Sequence, residues 1–189
     1  MKRSTLLHGV IILALSGTMA HATNDGIYIG GSLSLPNINK DIGSIQITDS
    51  GTTKYKNIEH KHYDVKIGYQ FSLGRAELYY RKNTLDIQGD DLSTKTYGLN
   101  LEIDVDSFAS GALIPYVSIG GGMGKVSSNK KSIDKGKLNE LNAGVGVHYQ
   151  VDENIDLQLG YAYSKMYFKD DEISDTDQHS LIVGANYKF

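Results

Sequence analysis

The segment HYDVKIGYQF, residues 62–71, changes polarity at every position. Its apolar positions are Tyr63, Val65, Ile67, Tyr69 and Phe71, and its polar positions are His62, Asp64, Lys66, Gly68 and Gln70. Successive side chains of a β-strand point to opposite faces. The segment therefore predicts a strand with one apolar face and one polar face.

The same alternation recurs along the chain and predicts an eight-stranded all-β fold. The other strands are expected at 27–35, 76–84, 96–105, 114–126, 140–151, 155–164 and in the C-terminal stretch. Long connections at 36–60, 85–95, 127–137 and 168–177 alternate with shorter ones at 72–75, 106–113 and 152–154. This alternation is typical of an up-and-down antiparallel barrel. Because the number of strands is even, both termini should lie at the end with short turns.

The N-terminus has the pattern of a secretory signal peptide. Lys2 and Arg3 precede the apolar run 6–15, and Ala20-His21-Ala22 forms an A-x-A cleavage site. The apolar run is shorter than the roughly 20 residues that a spanning helix needs. We predict a cleaved signal over residues 1–22 and a β-barrel domain over residues 23–189, with an uncleaved anchor helix as the alternative.

Composition excludes several classes of function. The 189-residue chain has 19 Lys and Arg against 22 Asp and Glu, and loss of Lys2 and Arg3 with the signal would lower its formal charge from −3 to −5. A mildly acidic chain without a basic stretch argues against a nucleic-acid partner. The chain has no Cys, so disulfides and thiolate metal sites are excluded.

The charged residues distinguish two kinds of barrel. A soluble barrel turns its apolar face inward, whereas an outer-membrane barrel reverses that order. Charges occur in mid-strand on the polar faces, among Gly, Asn, Gln and Ser, and such faces suit the narrow lumen of eight strands. We therefore predict a transmembrane barrel, with a soluble barrel as the alternative. Its expected lumenal ion-pair network consists of Asp64, Lys66, Glu77, Arg81, Glu102 and Asp104.

The partners within this network depend on strand register. If the turn near residue 73 sets the register, Lys66 faces Arg81, which is unfavourable for two cations. Buried charges must be paired, and Glu102 and Asp64 are the nearest candidates. The network is expected to plug the barrel, and a gated small pore is the alternative.

Aromatic residues on the apolar faces cluster near the strand ends and predict two girdles at the membrane interfaces. One girdle, toward the long connections, consists of Tyr63, Tyr97, Tyr161 and Tyr163. The other, toward the short turns, consists of Tyr69, Phe71, Tyr149, Tyr187 and Phe189.

Four segments carry a resemblance to a known family. They are GIYIGGSLSL at 26–35, PYVSIGGGMG at 115–124, LNAGVGVHYQVDENIDLQLGYAYS at 141–164 and YKF at 187–189. They resemble the small outer-membrane β-barrels of Gram-negative bacteria, which include opacity-type surface proteins and the barrel of outer membrane protein A. The sequence departs from outer membrane protein A itself, because no periplasmic peptidoglycan-binding domain is expected within these 189 residues.

The resemblance implies a function and a set of partners. The expected role is surface adhesion, host contact or envelope integrity through the long loops, with a small porin-like channel as the alternative. The expected partners are outer-membrane lipid and lipopolysaccharide, host or surface ligands at the loops, and the insertion machinery, which would recognise Tyr187 and Phe189 as an assembly signal. The protein is expected to be a monomer.

Other motifs give no chemical site. The Gly-rich segment 119–127 lacks the spacing of a phosphate loop. The segments 60–62 and 170–177 are interpreted as a solvated loop end and an acidic loop rather than metal sites. Some barrels of this family deacylate lipid A, but His148 and Ser164 lie on lumenal faces at different heights, away from an acyl chain. We predict no enzyme, cofactor or metal.

Overall fold

The computed structural model describes residues 25–35, 44–48, 52–56, 59–87, 90–105, 112–128, 136–169 and 175–189. The predicted signal peptide 1–22 lies outside these residues. No helix in the described ranges is long and apolar enough to cross a membrane. The strands are β1 Gly26–Leu35, β2 Ser44–Thr48, β3 Thr52–Lys56, β4 Glu59–Phe71, β5 Gly74–Ile87, β6 Asp90–Asp104, β7 Leu113–Ser128, β8 Lys137–Gln150, β9 Ile155–Phe168 and β10 Thr176–Lys188.

Eight of these strands close into a barrel in the order β1-β10-β9-β8-β7-β6-β5-β4. Every neighbouring pair is antiparallel, and β1 closes the barrel by pairing Ile29 with Tyr187. The amide of Phe189 donates to the carbonyl of Ile27 at 3.0 Å, so the beginning of β1 and the C-terminus lie at one end. We call this the terminal end and the opposite one the loop end. The predicted eight-stranded up-and-down barrel is confirmed.

Two expected connections contain regular structure. Within 36–60, β2 and β3 form a separate two-stranded sheet, and β4 already begins at Glu59. The expectation that 85–95 is a connection is wrong, because β5 continues to Ile87 and β6 begins at Asp90. The sequence hid this extension because the outward positions lose their apolar character from Lys82 onward. Backbone pairing continues after the apolar alternation has stopped.

The two faces of the barrel wall are sharply different. On the outside, Ile67 is 51%, Leu141 57% and Tyr97 67% exposed. In the lumen, Lys66 is 6% and Glu102 2% exposed. The apolar residues therefore coat the outside while the charged residues fill the interior, which is the order predicted for a membrane barrel.

Glycines make room in the lumen for large rings. A Cβ on Gly98 would lie 2.5 Å from the carbonyl oxygen of Gly121 and would overlap the ring of Tyr79. A Cβ on Gly68 would lie 2.5 Å from the ring of Tyr28. Glycines on the polar faces thus leave space for the tyrosine rings to pack against the inner wall of the barrel.

Candidate functional site

The lumen contains a cluster centred on Arg81, which β5 directs inward. Its guanidinium donates to both oxygens of Asp64 on β4, from Nε at 2.8 Å and from Nη2 at 3.0 Å. Nη1 also pairs with Glu140 on β8 and donates to Ser164 on β9 at 3.4 Å. The cation lies 5.0 Å from the ring centroid of Tyr79. Arg81 therefore joins three other strands across the lumen.

The β4–β5 register differs from the expected one. Arg81 faces Asp64, whereas Lys66 faces Tyr79. The expected opposition of Lys66 and Arg81 is wrong because the turn is tighter than assumed, with Phe71 paired directly to Gly74. Gly74 has a φ of 147°, which favours glycine at this turn. The observed register replaces a repulsive pair with a bidentate ion pair.

A second cluster surrounds Glu77, nearer the terminal end. The Lys66 Nζ atom lies 2.8 Å from Glu77 Oε1. The hydroxyl of Tyr28 donates to the same oxygen at 2.5 Å, and Asn100 Nδ2 donates to Oε2 at 3.1 Å. Both carboxylate oxygens are therefore satisfied by side chains from β4, β1 and β6.

A third cluster places His148 between two carboxylates. Its Nε2 lies 2.9 Å from Glu102 and its Nδ1 lies 3.2 Å from Asp156. Arg75 Nη1 lies 3.0 Å from the other oxygen of Asp156, and Asn186 Nδ2 donates to Asp156 at 2.7 Å. Each imidazole nitrogen of His148 therefore faces a carboxylate oxygen, one on β6 and one on β9.

Gln158 on β9 joins the second and third clusters. Its Oε1 accepts from Lys66 Nζ at 2.9 Å. Its Nε2 donates to Glu102 at 3.2 Å and to the Tyr116 hydroxyl at 2.8 Å. Lys66 and Glu102 are thus linked through an amide, while Arg81 belongs to the first cluster. Of the two partners expected for these cations, Asp64 therefore pairs with Arg81, and Glu102 is linked to Lys66 through Gln158.

Sequence reasoning placed several charges on the lumenal face but missed several partners. Asp104 lies at the terminal end of β6, opposite Tyr116, and is half-buried. His62 is buried inside β4 and only 4% exposed, so its interpretation as a solvated loop end is wrong. Residue 60 has no described side chain. The alternation of inward and outward positions could have identified the further members of the lumenal network. These are Arg75, Glu140, His148, Asp156 and Gln158.

The arrangement of His148 and Ser164 does not form a nucleophile and base. His148 contacts Glu102 and Asp156, whereas Ser164 contacts Arg81 in another cluster. Both side chains are buried in the lumen, at 0% and 5% exposure. The described lumenal side chains can hold opposite charges in fixed pairs across the barrel.

The aromatic residues predicted as girdles lie on the outer face. Tyr163 donates its hydroxyl to Asp177 at 2.7 Å, and Tyr187 packs edge-on against Phe189 at 5.2 Å between ring centroids. Phe71 and Tyr163 are half-exposed. The remaining members, all more than 40% exposed, are Tyr63, Tyr69, Tyr97, Tyr149, Tyr161, Tyr187 and Phe189.

We expect Glu102→Ala to destabilise the barrel by about 1–3 kcal/mol, because it leaves buried donors on His148 and Gln158 without an acceptor. Urea unfolding of refolded protein in detergent measures the change. Glu102→Gln is the matched control, since its amide oxygen still accepts one hydrogen bond, and it should lose less. Equal stability of Glu102→Ala and wild type would contradict the importance of this contact.

The fold matches known proteins. A family model described as outer membrane protein beta-barrel domain matches residues 6–189. The crystal structure of neisserial surface protein A is similar at 19% identity, covering 87% of this chain and 97% of that chain, with a TM-score of 0.64. The N-terminal β-barrel domain of Pseudomonas aeruginosa OprF is similar at 16% identity, covering 89% and 100%, with a TM-score of 0.51. No curated protein matches significantly.

The family match extends over nearly the whole chain, and the two solved structures share its fold. The inside-out distribution of polar and apolar residues agrees with a barrel whose surroundings are lipid. The chain belongs to the outer membrane protein β-barrel domain family and is a protein of the outer membrane.

Proposed function

We propose that this protein is a plugged outer-membrane anchor that presents its long connections at the cell surface for adhesion or host contact. The observation that supports it best is the set of side-chain contacts across the lumen. Lys66 on β4 reaches Gln158 on β9, and Arg81 on β5 reaches Glu140 on β8. Contacts between distant strands occupy the lumen and oppose a continuous water-filled path. The loops are then the functional surface.

The proposal implies one orientation. The loop end faces the cell exterior, and the terminal end faces the periplasm. Protease added to intact cells should cut within 36–58 or 170–174 and spare the turn at 152–154. Cleavage only at 152–154 would reverse the orientation.

Adhesion can be measured separately from topology. Bacteria that display the protein should bind host cells or extracellular matrix better than bacteria without it, and protease treatment of intact cells should abolish the difference. The signal peptide 1–22 and the recognition of Tyr187 and Phe189 during insertion are further parts of this proposal. N-terminal sequencing of membrane-extracted protein should begin near Thr23.

We expect the refolded wild-type barrel to show no steady conductance in planar bilayers, because the charges in its lumen are paired with each other across the barrel. A variant that removes two contacts across the lumen, Lys66→Ala with Arg81→Ala, is the comparison and should show more frequent opening. Stable single-channel steps from the wild type would instead support the small porin-like channel.

A further inference from the structure

A row of lysines crosses the outside of the barrel toward the loop end. Lys82 on β5 is directly opposite Lys95 on β6, Lys95 is opposite Lys125 on β7, and Lys125 is opposite Lys137 on β8. We call these four residues the lysine row. Lys95, Lys125 and Lys137 are exposed and Lys82 is half-exposed. Four consecutive strands therefore place ammonium groups side by side on an otherwise acidic chain.

This arrangement is unfavourable unless something neutralises it. Like charges directly opposite each other on neighbouring strands are destabilising. The described ion pairs of the protein do not include any member of the row. Elsewhere on the outer face, Lys165 lies 3.9 Å from Asp177, so there the protein supplies its own counter-charge. In the described part of the chain, Lys82 contacts an aromatic ring instead of a carboxylate, with its Nζ 6.0 Å from the ring centroid of Tyr63.

The position of the row indicates what kind of anion it meets. Two residues closer to the terminal end, the outward side chains include Tyr97 at 67% and Met123 at 73% exposure. The row therefore lies at the border between the apolar coat and the connections, which is the level of lipid headgroups. Barrel strands tilt by about 35–45°, so the row changes height by roughly 3 Å per strand. Flexible lysine stems can cover that difference.

We propose that the lysine row is a binding site for phosphorylated lipid headgroups of the outer leaflet, with the acyl chains lying along Tyr97 and Met123. An anionic amphiphile fits both the lysine row and the apolar surface beside it, whereas an acidic protein or polymer would leave the apolar surface uncovered. The proposal rests on the proposed orientation, which puts the loop end in the outer leaflet. Lysine binds phosphate as a point charge. The site therefore selects a lipid by the negative charge of its headgroup and by the depth of that charge in the membrane, rather than by one headgroup geometry.

The test compares two refolded proteins in a zwitterionic detergent. One is wild type, and the other carries Lys82→Gln, Lys95→Gln, Lys125→Gln and Lys137→Gln. Without added lipid, the variant should be at least as heat-stable as wild type, because like-charge repulsion is removed. Diphosphoryl lipid A should bind the wild type at least tenfold more tightly than the variant, since each lysine near an anionic surface contributes about a fivefold factor.

Three controls separate the outcomes. Lys165→Gln, which removes a cation already paired, should leave lipid A affinity within about twofold of wild type. Inorganic phosphate should not stabilise the wild type, and dephosphorylated lipid A should bind both proteins equally. Equal affinity of wild type and variant for diphosphoryl lipid A would overturn the proposal, as would stabilisation by polyglutamate but not by lipid A. Because the assay contains no cells, its failure leaves the adhesion proposal to be judged by its own experiment.

Discussion

Replacement of Arg81 by Met should cause the largest loss of stability among single lumenal substitutions. It removes the cation that pairs with Asp64 and Glu140 while both carboxylates stay buried. Removing one partner of a buried ion pair costs about 3–5 kcal/mol, because the remaining charge is uncompensated. The measurement is the midpoint of urea unfolding in detergent, with heat-modifiable gel mobility as the readout of the folded fraction.

Three comparison variants make this prediction specific. Lys165→Gln should change stability by no more than about 1 kcal/mol, because its pair with Asp177 is exposed. Arg81→Lys keeps the charge but loses the bidentate fork, so it should fall between wild type and Arg81→Met. Combining Arg81→Met with Asp64→Leu and Glu140→Leu should restore much of the loss, since no charge is left stranded. An Arg81→Met protein as stable as wild type would refute the structural importance of the first cluster.

Gly98→Val should be the second most damaging substitution. Its Cβ would collide with the Tyr79 ring and with the carbonyl oxygen of Gly121 on the neighbouring strand. Overpacking of a dense interior costs about 1–3 kcal/mol or more. Displacement of Tyr79 would also disturb its contacts with Arg81 and with Asn142, whose Nδ2 donates to the Tyr79 hydroxyl at 3.1 Å. Unfolding temperature on heat-modifiable gels reports the effect.

Gly31→Val is the matched control for Gly98→Val. Gly31 also lies in a strand, but it has the parity of Ile29 and Leu33, which face outward. The nearest neighbour of a Cβ there is the carbonyl oxygen of Asp64 at 3.4 Å, an ordinary contact. The Gly31→Val barrel should therefore unfold within a few degrees of wild type. Similar losses for both variants would show that strand glycine, rather than lumenal space, is the cause.

The alternation of polarity was sufficient to predict the barrel and the face on which Lys66, Arg81 and Glu102 lie. A period of two residues is a local property, so each strand reveals its two faces without reference to any other strand. This local pattern ends where polarity no longer alternates. Beyond Tyr80 the outward positions are polar, so no local pattern indicates that β5 and β6 continue.

The partners of the lumenal charges could not be predicted in the same way. Asp64 meets Arg81 because the turn after Phe71 is tight, and a different turn would bring a different residue opposite. His148 meets Glu102 although 46 positions separate them in the chain. Such contacts depend on the register of several strands at once and on which strands face each other across the lumen.

The sequence alone therefore determined the number of barrel strands, their inner and outer faces and the kind of barrel, because these follow from residue type at alternate positions. The tertiary structure decided which charges pair, which glycines make room for Tyr28 and Tyr79, and that four lysines stand in one row. Each of these depends on the stagger between neighbouring strands and on closure of the sheet, which bring together residues that no local pattern connects.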